Sequence, residues 1–177
     1  PLLFQGETLK ITEWNDGQLS DVRLSGVNVV SIELAGTNEF NLSGSFIVGG
    51  NGRAIFSSGL VVKSGGTLEL GITPIGDTAT FVHTETNSTI ITPIDGPYMG
   101  ILKSSGSLTI DAGTKWVILD TRISGAHIGD VFTLAITSNT NNVITNNLNL
   151  ADVHLITSQC IDGRYFTITS ITNTETS

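Results

Sequence analysis

The sequence predicts an all-β, single-domain fold of the parallel β-solenoid kind, with coils of about 20 residues. Three observations carry that expectation. The 177 residues hold 24 Thr, 20 Ile and 12 Val against 7 Ala, 7 Glu and 4 Lys, so β-branched strand formers outnumber helix formers. Short runs of alternating apolar and polar residues recur, each bounded by Gly, Asn, Asp or Ser. Gly or Asn also returns at the interval of one coil, ahead of an x-apolar strand. An antiparallel β-sandwich or jelly roll is the alternative, because turn signals are frequent there too. Two-residue hairpin signals are scarce, with Asn51-Gly52 the best, and this favours the solenoid.

Leu3-Phe4-Gln5-Gly6 resembles the core of a viral 3C-protease cleavage site of the kind used in expression tags, with Glu7 where proline usually follows. Residues 1–6 are therefore set outside the fold as linker, the domain spans 7–171, and 172–177 form a polar tail. Strand patterns then follow in order at Thr8–Ile11, Val29–Leu34, Ser45–Val48, Leu60–Lys63 and Thr67–Leu70. They continue at Ser107–Ile110, Trp116–Leu119, Phe132–Leu134 and Tyr165–Ile168. No long window keeps apolar residues at i, i+3, i+4 and i+7, so almost no helix is expected. Pro74, Pro93 and Pro97, with Gly76, Asp95 and Gly96, mark residues 73–99 as a loop protruding from the scaffold.

The internal repeat is the most informative signal. Lys63–Leu70 aligns with Lys103–Ile110 at an offset of 40, which reads as two coils. The ladder Gly26, Gly44, Gly66, Asn87, Gly106, Gly125, Asn146 and Gly163 places at each coil a residue that tolerates positive φ. Gly66 and Gly106 should then occupy equivalent corners two coils apart. Alternation puts Leu68, Leu70, Leu108 and Ile110 on one inside stripe.

On the segments 64–71 and 105–113, the chain resembles the right-handed parallel β-helices of secreted bacterial adhesins of the autotransporter-passenger type and of phage tail fibres and tailspikes. The pattern covers about residues 20–170. The resemblance implies a non-catalytic stalk and binding surface at a bacterial cell surface or virion surface, or otherwise extracellular, contacting a host receptor protein or glycan. An open last coil around Tyr165, Phe166 and Ile168 needs a cover, so a homo-oligomer with a parallel trimer favoured, or a further domain, is expected.

Charge excludes other classes. Eight Lys and Arg against 16 Asp and Glu leave a net charge of −8, which disfavours nucleic acid and anionic membrane as partners. No apolar run has the length of a membrane span, and the start lacks the pattern of a signal peptide, so any export signal would lie outside the chain. Cys160 is the lone cysteine, without a nearby basic residue to activate it, and reads as a small inward residue. His83, His127 and His154 show no ligand spacing, so neither metal nor other cofactor is expected.

The best catalytic constellation is Asp111, Asp130 and Asp152, spaced 19 and 22 residues apart, with His154 two residues beyond the last. Stacked in adjacent coils, these carboxylates would suit a polysaccharide depolymerase, because glycoside cleavage needs two acids at roughly 5–10 Å. Turn capping explains the same aspartates without catalysis. The expected binding residues are Pro74, Asp77, His83, Asp95 and Tyr98, on or beside the 73–99 loop. Trp14, Trp116 and Tyr165 join Tyr98 as rings able to stack on a sugar, although each also suits packing. Asn41-Leu42-Ser43 and Asn87-Ser88-Thr89 match glycosylation acceptors.

Overall fold

A computed structural model describes residues 8–14, 16–24, 31–48, 50–72, 77–95, 98–122, 131–138, 144–157 and 169–170. The strands come in threes. The first coil holds β1 (Thr8–Ile11), β2 (Gln18–Leu19) and β3 (Val22–Leu24), and the second β4 (Ser31–Leu34), β5 (Phe40–Leu42) and β6 (Ser45–Val48). The third holds β7 (Arg53–Phe56), β8 (Leu60–Val62) and β9 (Thr67–Glu69). The fourth holds β10 (Asp77–Ala79), β11 (Val82–Thr84) and β12 (Thr89–Asp95), followed by a short β13 (Tyr98–Met99). Next come β14 (Leu102–Ser104), β15 (Leu108–Ile110) and β16 (Lys115–Arg122), and last β17 (Ala135–Thr137), β18 (Ile144–Asn146) and β19 (Val153–Thr157). A single 3-10 turn, Leu150–Asp152, is the one helical piece among the described residues.

Three sheets result, and each takes one strand from every coil. Four inner coils have neighbours on both sides and two end coils have one. Pairing is parallel throughout except between β12 and β13, whose antiparallel register joins Ile94 to Met99 and Asp95 to Tyr98. This excludes the sandwich. The repeat is longer than its sequence signature. Phe40 pairs with Leu60, 20 residues on, Val82 with Leu108, 26 on, and Trp116 with Val153, 37 on.

The interior follows from alternation. In the second sheet Phe40, Leu60, Val82 and Leu108 stack with at most 2% exposure; in the third sheet Phe46, Leu68, Ile90 and Trp116 stack with none. Rings from all three sheets meet at Phe56, whose centroid lies 5.5 Å from that of Phe40 and 5.6 Å from that of Phe46. Burial of each large apolar side chain contributes roughly 1.5–3 kcal/mol. Leu68, Leu70, Leu108 and Ile110 are all buried as expected, but they do not form one stripe, since Leu68 lies in the third sheet and Leu108 and Ile110 in the second.

The corners obey two separate constraints. Between the second and third sheets, Gly65, Asn87 and Gly113 have φ of 82°, 63° and 79°, and they stack: the Gly65 N–H donates to the Asn87 carbonyl and the Asn87 N–H to that of Gly113. Each is the third residue of a β-turn closed by Gly66 N–H to Lys63, Ser88 N–H to Glu85 and Thr114 N–H to Asp111, a position that requires positive φ in a type II turn. Gly26, Gly125 and Gly163 of the ladder lie outside the described residues, and at two of its described glycines the cause is different. Gly66 and Gly106 are required because a Cβ would strike the carbonyl oxygen of the neighbouring coil, Leu42 for the first and Thr80 for the second.

Those two glycines are not equivalent. Gly66 precedes β9 of the third sheet and Gly106 precedes β15 of the second, so the 40-residue alignment joined strands of different sheets. The strand expected at Phe132–Leu134 begins instead at Ala135, while Phe132 is 40% exposed. The two-residue and three-residue strands, such as β2 and β11, were too short to show alternation. Within the expected 73–99 loop, residues 77–95 are largely strand, supplying β10, β11 and β12 to the regular sheets. Tyr165–Ile168 and the tail lie outside the described residues.

Candidate functional site

Among the described residues, a group of ionisable side chains joined by two ion pairs lies on the outside of the second sheet and on its corner toward the third. Register makes this group. Val61, His83 and Thr109 share one outward column, and Lys63, Glu85 and Asp111 each follow the end of their strand at the same corner. Lys63 Nζ donates to Glu85 Oε1 at 2.9 Å, and the Ser64 N–H donates to Oε2 at 3.1 Å. His83 Nε2 lies 3.1 Å from Asp111 Oδ2, with both side chains about one-third exposed. Glu85 is held below its ordinary pKa, first by the Lys63 hydrogen bond and further by the Ser64 N–H and the charges of Lys63 and His83, against a smaller effect of burial. The His83 imidazole is oriented by the Asp111 carboxylate, an arrangement able to meet a polar ligand.

Of the expected catalytic set, Asp111, Asp152 and His154 fall among the described residues. Asp111 is engaged with His83, 28 residues away in sequence. Asp152 lies in the 3-10 turn, so it does not share a strand with His154, and its Oδ2 accepts from Asn149 Nδ2 at 3.4 Å. His154 is exposed on the outer side of β19, in register with Val117 of the third sheet. Asp130 is outside the described residues, as are Pro74, His127 and Cys160. Among the described residues no cluster of three or more His, Cys, Asp and Glu has the grouping of a metal site.

The expected binding residues separate onto different sheets. His83 belongs to the second sheet. Asp77 lies in β10 of the first sheet, in register with Leu102, rather than on a loop. Asp95 and Tyr98 face one another across the β12–β13 turn, where β12 has outrun β9 and β13 returns beside it; the Gly100 N–H donates to the Pro93 carbonyl at 2.9 Å. Tyr98 is 58% exposed and is, with Phe132, one of two mainly exposed aromatic rings among the described residues. Trp116, by contrast, is fully buried and Trp14 packs partly against the core. The His83–Asp111 pair was not legible beforehand, because it joins adjacent coils of unequal spacing.

No protein-family model matches the chain, and neither a curated protein nor a solved structure gives a significant match.

Proposed function

We propose that the chain is a non-catalytic stalk and binding domain of an extracellular fibre or adhesin, at a bacterial cell surface or on a virion, and that it contacts a host glycan or receptor. The observation that supports this reading most is the register that places an exposed aromatic residue, Tyr98, directly opposite Asp95 where β12 and β13 leave the third sheet. A ring face takes the apolar side of a sugar and a carboxylate accepts from its hydroxyls. The continuous core of stacked Leu, Ile and Phe supports the strands that carry Asp95 and Tyr98, which lowers the entropy lost on binding.

The test is binding of the chain to an array of bacterial and animal cell-surface glycans and to intact cells, with Tyr98→Ala and Asp95→Asn in parallel. Binding that falls at least tenfold in both variants, with unchanged circular dichroism, is expected. Binding that is unaffected by either substitution, or no binding to any glycan or cell, would overturn the reading.

A further inference from the structure

The three outer faces of the prism differ in chemistry. The first sheet's outer column carries Lys10 and Glu33, ion-paired at 2.7 Å, then Ile55, Thr78, Lys103 and Ile136, so its two apolar residues are not adjacent. The second carries the Lys63, Glu85, His83 and Asp111 group described above. The third is apolar between Glu69 and His154: its outer column runs Arg23, Ile47, Glu69, Ile91, Val117 and His154, one residue per coil. Leu119 and Ile156 continue the column beside it, with Ile156 51% exposed, while Pro93 in the same register is buried. Inward neighbours of this column, from Phe46 to Trp116, are fully buried, so the alternation leaves Ile47, Ile91 and Val117 facing outward.

We propose that a second copy of the chain covers this face, with the two solenoids antiparallel about a two-fold axis that runs along the strands between β12 and β16. The charge pattern selects this arrangement. Inverting the column about that axis sets Ile91 against Val117 and Glu69 against His154, each twice by symmetry. A parallel pair, or a parallel trimer about this face, sets each level against itself and brings Glu69 to Glu69 and Arg23 to Arg23. The carboxylate of Glu69 is already raised in pKa by burial beside its apolar neighbours, partly countered by Arg23, so an imidazole N–H donor from a second copy relieves a group that the monomer solvates poorly. This inference is independent of the glycan reading, since Tyr98 and Asp95 are not used.

In this arrangement only β9, β12, β16 and β19 face a partner. Four strands at about 4.8 Å by roughly five residues at about 3.3 Å give a face of about 320 Å² per copy, under half the usual protein interface, so weak association with a Kd of about 100 μM is expected. Sedimentation equilibrium from 5 to about 300 μM tests it. The expected result is a monomer–dimer equilibrium that Val117→Lys abolishes. Glu69→Lys and His154→Glu should each weaken it at least tenfold, and the doubly exchanged chain, Glu69→Lys with His154→Glu, should recover most of the loss. A monomer at the highest concentration, a trimer, or charge exchange without recovery in chains of unchanged circular dichroism would overturn it. Val117→Lys changes an outward side chain only, so it reads the face even if Glu69→Lys folds poorly.

Discussion

Trp116 donates its indole N–H to Thr92 Oγ1 at 2.9 Å, across adjacent coils of the third sheet and with no exposure of either residue. The bond lets the largest buried side chain sit in an otherwise apolar interior. Thr92→Val keeps the shape and leaves the indole N–H without its acceptor, so it should cost about 1–3 kcal/mol in urea unfolding. Trp116→Phe combined with Thr92→Val should lose less than the two single changes added together. Additive losses would show that the bond contributes nothing specific.

Ser88 has a buried Oγ without a hydrogen-bond partner. It stands where the preceding coils have Gly44 and Gly66 and the next has Thr114, whose hydroxyl is paired with that of Thr84 at 3.0 Å. Ser88→Ala removes only an unsatisfied group and should stabilise the fold by about 1 kcal/mol, seen as a higher urea midpoint at unchanged slope.

Gly65 and Gly66 are neighbours with different tolerances. Gly65 has positive φ and open space around a would-be Cβ, and Asn87 fills the equivalent place one coil on, so Gly65→Asn should cost under about 1 kcal/mol. At Gly66 a Cβ meets the backbone oxygen of Leu42, which cannot move without separating two coils. Gly66→Ala should therefore be the costlier change by about 2 kcal/mol or more. Equal thermal midpoints for the two variants would contradict this division.

Two carboxylates should pull the pH dependence of stability in opposite directions. Glu85 is lowered from 4.5, so its contribution is present above that value and is lost as pH falls through its depressed folded-state pKa. Glu69 is raised from 4.5 by burial, so its contribution is complete below that value and is lost as pH rises through its elevated folded-state pKa. Glu69→Gln should raise the urea midpoint at pH 7 relative to pH 4. Glu85→Gln should lower it at pH 7 by a modest amount, since the Lys63 pair is about one-third exposed and partly screened, and should have little effect near pH 3.

Local chemistry settled much of this protein before any strand was paired. The excess of Thr, Ile and Val over Ala, Glu and Lys excluded helices, and two-residue alternation alone sent Leu68, Leu70, Leu108 and Ile110 inward. Both are properties of a few consecutive residues. The pairing of coils is not, because each coil contains three similar short strands and any Gly-x-apolar strand start resembles the next. That degeneracy is why Lys63–Leu70 aligned with Lys103–Ile110 although β9 and β15 belong to different sheets. The true spacing, from 20 to 37 residues, is set by the lengths of the corners and is visible only once parallel hydrogen bonds bring coils into register. The same register decided which polar groups meet. It carried His83 to Asp111, kept Asp111 and His154 on different sheets, and left the third sheet's outer face apolar between Glu69 and His154, because outward columns are assembled from one residue in every coil rather than from any continuous segment.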